Sequence, residues 1–324
     1  MIRHLTRPLQ YLSAVLVAGA LLSALPAQAA KYPTKQIDLV VPYSAGGGTD
    51  LVARAFADAA KTHLPVSIGV INKPGGSGAI GFTEIATARP NGYKIGLGTV
   101  ELTTLPSLGM VSFKTDSFKP IARLNADPAA ITVSADAPWN TLDEFLKWAK
   151  ENPGKVRIGN SGTGAIWHLA AAALEDKAGV KFTHVPYDGA APAVTGLLGN
   201  HIEAVAVSPG EVINHVNGSK LKILAIMADE RMKSIPDVPT LKEQGIDLSI
   251  GTWRGLIVPK NTPQDIVDTL SVAAKATAEE PAFQDALNKL NLNYAWLEGA
   301  AFQQQINEQQ AYFAELLSKL GLKK

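Results

Sequence analysis

The sequence predicts an α/β protein of two lobes, on three observations. Short apolar runs alternate with helical patterns from Ile37 onward, the alternation comes in two successive sets, and the chain closes with helical stretches and almost no further strand. Strands separated by helices mark a mostly parallel sheet with crossover connections. A chain of 324 residues, 46% of them hydrophobic, supplies enough apolar surface for two cores.

Each element has its own reason. "IDLVVPY" is a β-branched apolar run and reads as a strand, followed by a helix over 49–63, the strand "VSIGVI", a helix over 78–88 and the strand "YKIGLGTV". Asp127-Pro128 and Asp136-Ala137-Pro138 punctuate the passage to the second set. That set runs "AAITVSAD", a helix over 142–152, "KVRIGN", a helix over 166–178, "KFTHVPY", a helix over 190–199, then the strands "IEAVAVS" and "LKILAIM". After "GTWRGLIVP", helices over 263–280 and 300–320 flank the single strand-like run "NYAWLE" and are expected to pack back on the first lobe. The chain therefore crosses twice, with lobe 1 over 30–131 plus 253–324 and lobe 2 over 132–252.

The first 29 residues stand apart. Arg3 and Arg7 precede an apolar run over 11–25, and Ala27-Gln28-Ala29 has the small-x-small form of a signal peptidase site, so cleavage is expected after Ala29 or Ala30. Pro26 and that ending favour cleavage over a retained anchor. The chain has no cysteine, which excludes disulfides, thiolate zinc sites and a lipidated amino-terminal Cys. Without Arg3 and Arg7 the 30 basic residues become 28 against 29 acidic, so the exported chain is close to neutral. Nucleic acid and anionic membrane surfaces are not expected as partners.

Three glycine-rich turns follow strands and open helices: "PYSAGGGTD", "NKPGGSGAIG" and "GNSGTGAIWH". Free amides and the positive dipole end at a helix start favour an anion, and glycine lets a ligand come close to the backbone. Gly48 is followed by Thr49 and Asp50 and not by the Lys of a phosphate loop. The second turn contains a formal GxGxxG, Gly76 to Gly81, with Glu101 beyond it, but "NKPG" separates it from its strand. Gly159-Asn160-Ser161-Gly162-Thr163 misses the nucleophile elbow by its last residue, which leaves an exported α/β hydrolase using Ser161 as the alternative function. Three such turns in two lobes point to an anion held between the lobes, with no cofactor and no metal.

"YPTKQIDLVVPYSAGGGTDLVARAFA", "NKPGGSGAIGFTEIATARPNGYKIGLGT", "HVPYDGAAPAVTGLLGNHIEAVAVSPGEV", "MADERMKSIPDVPTLKEQGIDL" and "WRGLIVPKNTP" closely resemble the substrate receptors of tripartite tricarboxylate transporters, the Bug family. "ELTTLPSLG", "SPGEV" and "WRG" are most similar to the branch named for citrate uptake. The resemblance implies a type II two-lobed periplasmic binding protein, soluble and monomeric, that closes on a di- or tricarboxylate and delivers it to a membrane permease. It places first-lobe contacts on Tyr43, Ser44, Ala45, Gly46, Gly47, Ser77, Gly78 and Ala79, and second-lobe contacts on Asn160, Ser161, Thr163 and Gly164. Asp188, in "PYDG", departs from the basic residue of relatives and weakens the case for a fully anionic distal group.

Other side chains are read from position. Asp50, four residues before Arg54, is expected to form a first-turn ion pair more than to bind an amino group. Glu101, just past a strand, faces either the cleft or a hinge. Trp253 and Arg254 lie at the second crossover, where Arg254 is expected to grip a carboxylate in preference to making a hinge ion pair. His168 is expected to pack. Replacing Gly47 with a bulky residue is expected to cost more affinity than Ser44→Ala.

Overall fold

The computed structural model describes residues 31–323, so the expected signal peptide over 1–29 lies outside the described residues. The strands are β1 (Ile37–Val41), β2 (Ile68–Asn72), β3 (Lys94–Gly98), β4 (Phe118–Pro128), β5 (Ala130–Ser134), β6 (Val156–Asn160), β7 (Phe182–Pro186), β8 (Ala204–Val207), β9 (Leu221–Ile226), β10 (Gly251–Pro259) and β11 (Tyr294–Glu298). They form two sheets, one of six strands in the order β11-β4-β10-β3-β1-β2 and one of five in the order β7-β6-β8-β5-β9. Each sheet is the centre of one lobe.

Both sheets, expected to be mostly parallel, are mixed. β2, β1 and β3 run parallel, as do β7, β6 and β8, whereas β10, β4, β11, β5 and β9 join antiparallel. The antiparallel strands include those that carry the chain into and out of each lobe. Among the elements that went unforeseen are β4, whose Pro120, Pro128, Lys119 and Arg123 read against a strand, the short helices Glu101–Thr104 and Ile213–Asn217, and the helix Pro281–Lys289. Phe283 of that helix is fully buried and meets Phe56 edge-on, at 6.2 Å between ring centres.

The crossovers lie side by side. Ala129, between β4 and β5, accepts from the Met227 amide at 2.7 Å and donates to the Ile250 carbonyl at 2.9 Å, and Met227 and Ile250 bound the segment from β9 to β10. A hinge of two adjacent chains lets the lobes turn while each sheet stays intact. The helix Gly299–Lys319 spans both lobes, with Phe302 edge-on to Trp253 of β10 and Lys319 paired with Asp176 at 2.7 Å.

Candidate functional site

The first glycine turn is fixed from below by Asp50. Its buried carboxylate accepts from the Gly46 amide at 2.8 Å, Arg54 Nε at 2.9 Å and Asn72 Nδ2 at 2.9 Å. Burial pushes this carboxyl up, but Arg54, the Gly46 amide and Asn72 together hold it below its ordinary value. Asp50 thus braces the loop, and the helix Gly48–Ala59 starts with its amides aimed at the other lobe. Its first residue has no room for a side chain: a Cβ on Gly48 would lie 2.5 Å from Arg254 Nη2 and 2.9 Å from Glu211 Oε1.

In the second turn, Gly75 (φ 118°), Gly76 (φ 58°), Ser77 (φ 59°) and Gly78 (φ 95°) all adopt positive φ before the helix Ala79–Ala86. Gly81, the last glycine of the GxGxxG pattern, packs so tightly that a Cβ would lie 2.6 Å from Pro42 Cα. That pattern serves the contact of helix with loop.

The third turn leads from β6 into the helix Ile166–Ala178. Asn160 Oδ1 accepts from the Gly162 amide at 3.0 Å, and His168 Nδ1 accepts from the Gly164 amide at 3.0 Å. His168 therefore packs and positions the turn, as a neutral ring. Burial and the neighbouring His184 push its pKa down from 6.5 to about 4. The unfolded chain takes up the proton first as pH falls, so stability drops from about pH 6.5 and the loss levels off below about pH 4. Wild type should lose about 2 to 3 kcal/mol more than His168→Gln between pH 7 and pH 4.5. Urea unfolding at both pH values measures this, and equal losses would mean that the ring does not titrate as its burial requires.

The lobes meet across these turns. Ser77 Oγ donates to the Thr163 carbonyl at 2.7 Å, and the Ser44 amide and hydroxyl donate to the Asp188 carbonyl at 3.2 and 2.9 Å. Deeper in, two glutamates reach across in opposite directions. Glu101 of the first lobe accepts from the Ile166 amide at 2.8 Å, and Glu211 of the second lobe accepts from the Gly48 amide at 3.0 Å. Each carboxylate sits at the positive start of a helix in the opposite lobe. Glu101 also receives the Thr99 hydroxyl, and Glu211 closes a capping box on Ser208.

Arg254 lies beneath this junction, 1% exposed. Side chains alternate along β10, so Arg254 and Thr252 face the cleft while Trp253 points the other way. There Trp253 donates to Gln309 and packs on Phe302. Arg254 stands opposite Asn125 of β4, with Asp127 two residues along on the same face. Its guanidinium donates to Asn125 Oδ1 at 2.8 Å, Asp127 Oδ2 at 2.5 Å, Thr49 Oγ1 at 3.1 Å and Glu211 Oε1 at 3.3 Å. Burial pushes the Asp127 and Glu211 carboxyls up, and Arg254 is the main influence opposing it.

A cavity of about 20 Å³ remains at the junction, lined by Tyr43, Gly47, Gly48, Thr49, Thr99, Glu101, Ser161, Ile166, Trp167, Ala190, Glu211, Thr252 and Arg254. Tyr43, Gly47, Glu101, Ser161 and Arg254 of the expected residues thus share one wall. Ser44, Ser77, Thr163 and Asp188 line a larger outer groove with Met110, Tyr187 and Pro192. Ala45 and Gly46 are exposed at the rim, and Gly78, Ala79, Asn160 and Gly164 shape the turns behind it. The Ser161 hydroxyl and Asn160 Nδ2 are buried without a partner. Sequence reasoning did not single out Gly48, Trp167, Glu211 or Asp127 as site residues. Glu211 had a signal in the Ser-x-x-Glu spacing of its capping box, whereas Asp127, beside Pro128, read as a linker.

Residues 52–322 match the family described as "Tripartite tricarboxylate transporter family receptor". A Cupriavidus necator protein, "UPF0065 protein in gbd 5'region", is 33% identical over 306 residues, covering 94% of this chain and 93% of its own. The structure of the periplasmic binding protein BugD is 33% identical, covers 90% of this chain and 100% of its own, and superposes with a TM-score of 0.87. A solute-binding protein from Polaromonas, crystallised without ligand, is 52% identical over 89% of this chain and 99% of its own, with a TM-score of 0.66. With two lobes, glycine turns facing one cleft and a match along nearly the whole described chain, the protein belongs to the tripartite tricarboxylate transporter receptors, which bind solutes and are not enzymes.

Proposed function

We propose that this receptor is exported through cleavage of residues 1–29, works as a periplasmic monomer, closes on a small organic carboxylate and delivers it to the membrane permease of a tripartite transporter. One observation carries the reading. Two helix starts from opposite lobes, Gly48 and Ile166, converge on one buried cavity whose wall holds the unpartnered hydroxyl of Ser161. Buried polar groups are rarely left without partners, so the orphan Ser161 hydroxyl, beside helix starts whose Gly48 and Ile166 amides are taken by Glu211 and Glu101, fits a ligand that offers it an acceptor such as a carboxylate oxygen. Among the described residues no helix is long and apolar enough to cross a membrane.

In this reading Tyr43, Gly47, Asn160 and Ser161 hold the carboxylate, Ser44, Ala45, Gly46, Ser77 and Thr163 form the rim that closes over it, and Gly78, Ala79 and Gly164 shape the turns behind that rim. The moving units lie close to the expected 30–131 with 253–324 against 132–252, but the first sheet ends at Pro128 and resumes at Gly251 while the second runs from Ala130 to Ile226, so the turn falls at Ala129 and the neighbouring Met227 and Ile250. The relative at 52% identity superposes less well than BugD at 33%, the pattern expected when similar lobes stand at different mutual angles. Two Rhodopseudomonas palustris structures hold malate and adipate, but at 24% and 23% identity they speak for the fold alone. Against the hydrolase alternative, the Ser161 hydroxyl has no hydrogen-bond partner among the described residues, so none of His184, His201 and His215 is placed as its base.

A thermal-shift screen of small carboxylates tests the reading. A ligand at about a hundred times its Kd should add about 2.7 kcal/mol of stability. No shift with any carboxylate, against a clear one with an uncharged solute, would contradict it.

A further inference from the structure

The charges that face the cleft are few and nearly all negative. Of the side chains lining the cavity only Glu101, Glu211 and Arg254 are charged, and in the outer groove only Asp188. Arg254 is committed: Asp127 and Glu211 both pair with it, and Asn125 and Thr49 take further donors. Counting Asp127 behind it, one cation stands among three buried carboxylates, and a fourth carboxylate waits at the mouth. Glu101, 1% exposed, has no cationic partner among the described residues; its oxygens accept from the Thr99 hydroxyl and the Ile166 amide. Among the described residues, the buried side-chain donors without a partner beside the cavity are the Ser161 hydroxyl, 4% exposed, and the Asn160 amide, 1% exposed. Two neutral donors can hold one carboxylate. Each further carboxylate would come near Glu101, Glu211 or Asp188, and like charges at short range in a water-poor cleft repel strongly.

We infer that this receptor takes a ligand with a single carboxylate and, elsewhere on the molecule, a hydrogen-bond donor such as an ammonium or hydroxyl group, and that Glu101 sets this preference by accepting from the donor and rejecting a second carboxylate. The inference rests on the carboxylate reading above and narrows it. It replaces the di- or tricarboxylate expected from the resemblance, for the reason that Asp188 first raised and the buried glutamates extend. The outer groove, bounded by Met110, Tyr187 and Pro192, leaves room for an uncharged chain between the two groups.

The test compares ligands matched in length on the purified protein. Amino acids and hydroxy monocarboxylates of three to six carbons, dicarboxylates of the same lengths, and citrate are ranked by thermal shift and then by calorimetry. The expected result is that the best one-carboxylate donor ligand binds at least about tenfold more tightly than any dicarboxylate or citrate, the size of one charge-assisted hydrogen bond. Glu101→Gln, which keeps the shape and an acceptor, should narrow that preference by about tenfold, mainly by admitting dicarboxylates. A wild-type preference for a dicarboxylate or citrate overturns the inference and leaves the carboxylate reading standing. Binding of no carboxylate in either series overturns both. The wild-type ranking decides the matter even if Glu101→Gln does not fold, and a Gln variant with unchanged ranking would remove Glu101 from the explanation and overturn its assigned part.

Discussion

Arg254→Ala should lower the free energy of unfolding by about 3 to 5 kcal/mol, because it leaves two buried carboxylates uncompensated. The Asp127 and Glu211 side chains are 0% and 3% exposed, so water cannot take the place of the guanidinium. Burial already pushes both carboxyls above the ordinary range with Arg254 present. A carboxyl whose folded pKa is raised binds more protons folded than unfolded, so the variant regains stability as pH falls and loses it as pH rises. The deficit should therefore be larger at about pH 8 than at about pH 5. Arg254→Met combined with Asp127→Asn and Glu211→Gln should recover much of the loss, since it removes the charges together. Chemical denaturation across pH measures all three effects. A loss under about 1 kcal/mol, the value of an exposed pair, would show that the network contributes little.

Gly48→Ala should weaken ligand binding by at least about tenfold, or 1.4 kcal/mol, while Gly47→Ala should leave it within about twofold. The neighbouring glycines differ in what stands opposite. A Cβ on Gly47 would find its nearest neighbours at 3.7 Å, in ordinary contact, whereas one on Gly48 would press on Arg254 and Glu211 within 3 Å. The added methyl would displace the second lobe's Glu211 from the Gly48 amide and hold the lobes apart, so closure would become less favourable. The sequence-based expectation set a bulky residue at Gly47 against Ser44→Ala; the crowding at Gly48 comes from Arg254 and from Glu211 of the opposite lobe. Calorimetry on both variants, with circular dichroism to confirm folding, decides it, and equal losses would mean that the backbone approach is not limited by the opposite lobe.

The difference between Gly47 and Gly48 also shows what the sequence could and could not convey. "VVPYSAGGGTD" displays a strand, a turn and a helix start in local pattern, because apolar periodicity and glycine act within a few residues. Partners across the cleft leave no such trace. Glu211 lies 163 positions from Gly48, and Glu101 lies 65 from Ile166. Glu101 was expected to face either the cleft or a hinge, without a partner named, and Glu211 was not singled out. Arg254 was expected to grip a carboxylate in preference to making a hinge ion pair, whereas in the structure its guanidinium is paired with Asp127 and Glu211. Its partner Asp127 was hidden because β4 carries prolines and charges that imitate a linker. Asp50 was read correctly as the pair of Arg54, for that contact is local, but its bonds to Gly46 and Asn72 required the fold.

The central claim is that a carboxylate is held between the lobes at the two facing helix starts. A crystal structure with the tightest-binding carboxylate from the thermal-shift screen tests it most directly. The account predicts the carboxylate within hydrogen-bond distance of Ser161 Oγ, between the starts of the helices at Gly48 and Ile166, with Ser77 still against Thr163 across the cleft. A carboxylate bound instead on the outer face of the first lobe, in the groove of about 530 Å³ that includes Lys119, Lys275 and Gln303, would contradict it.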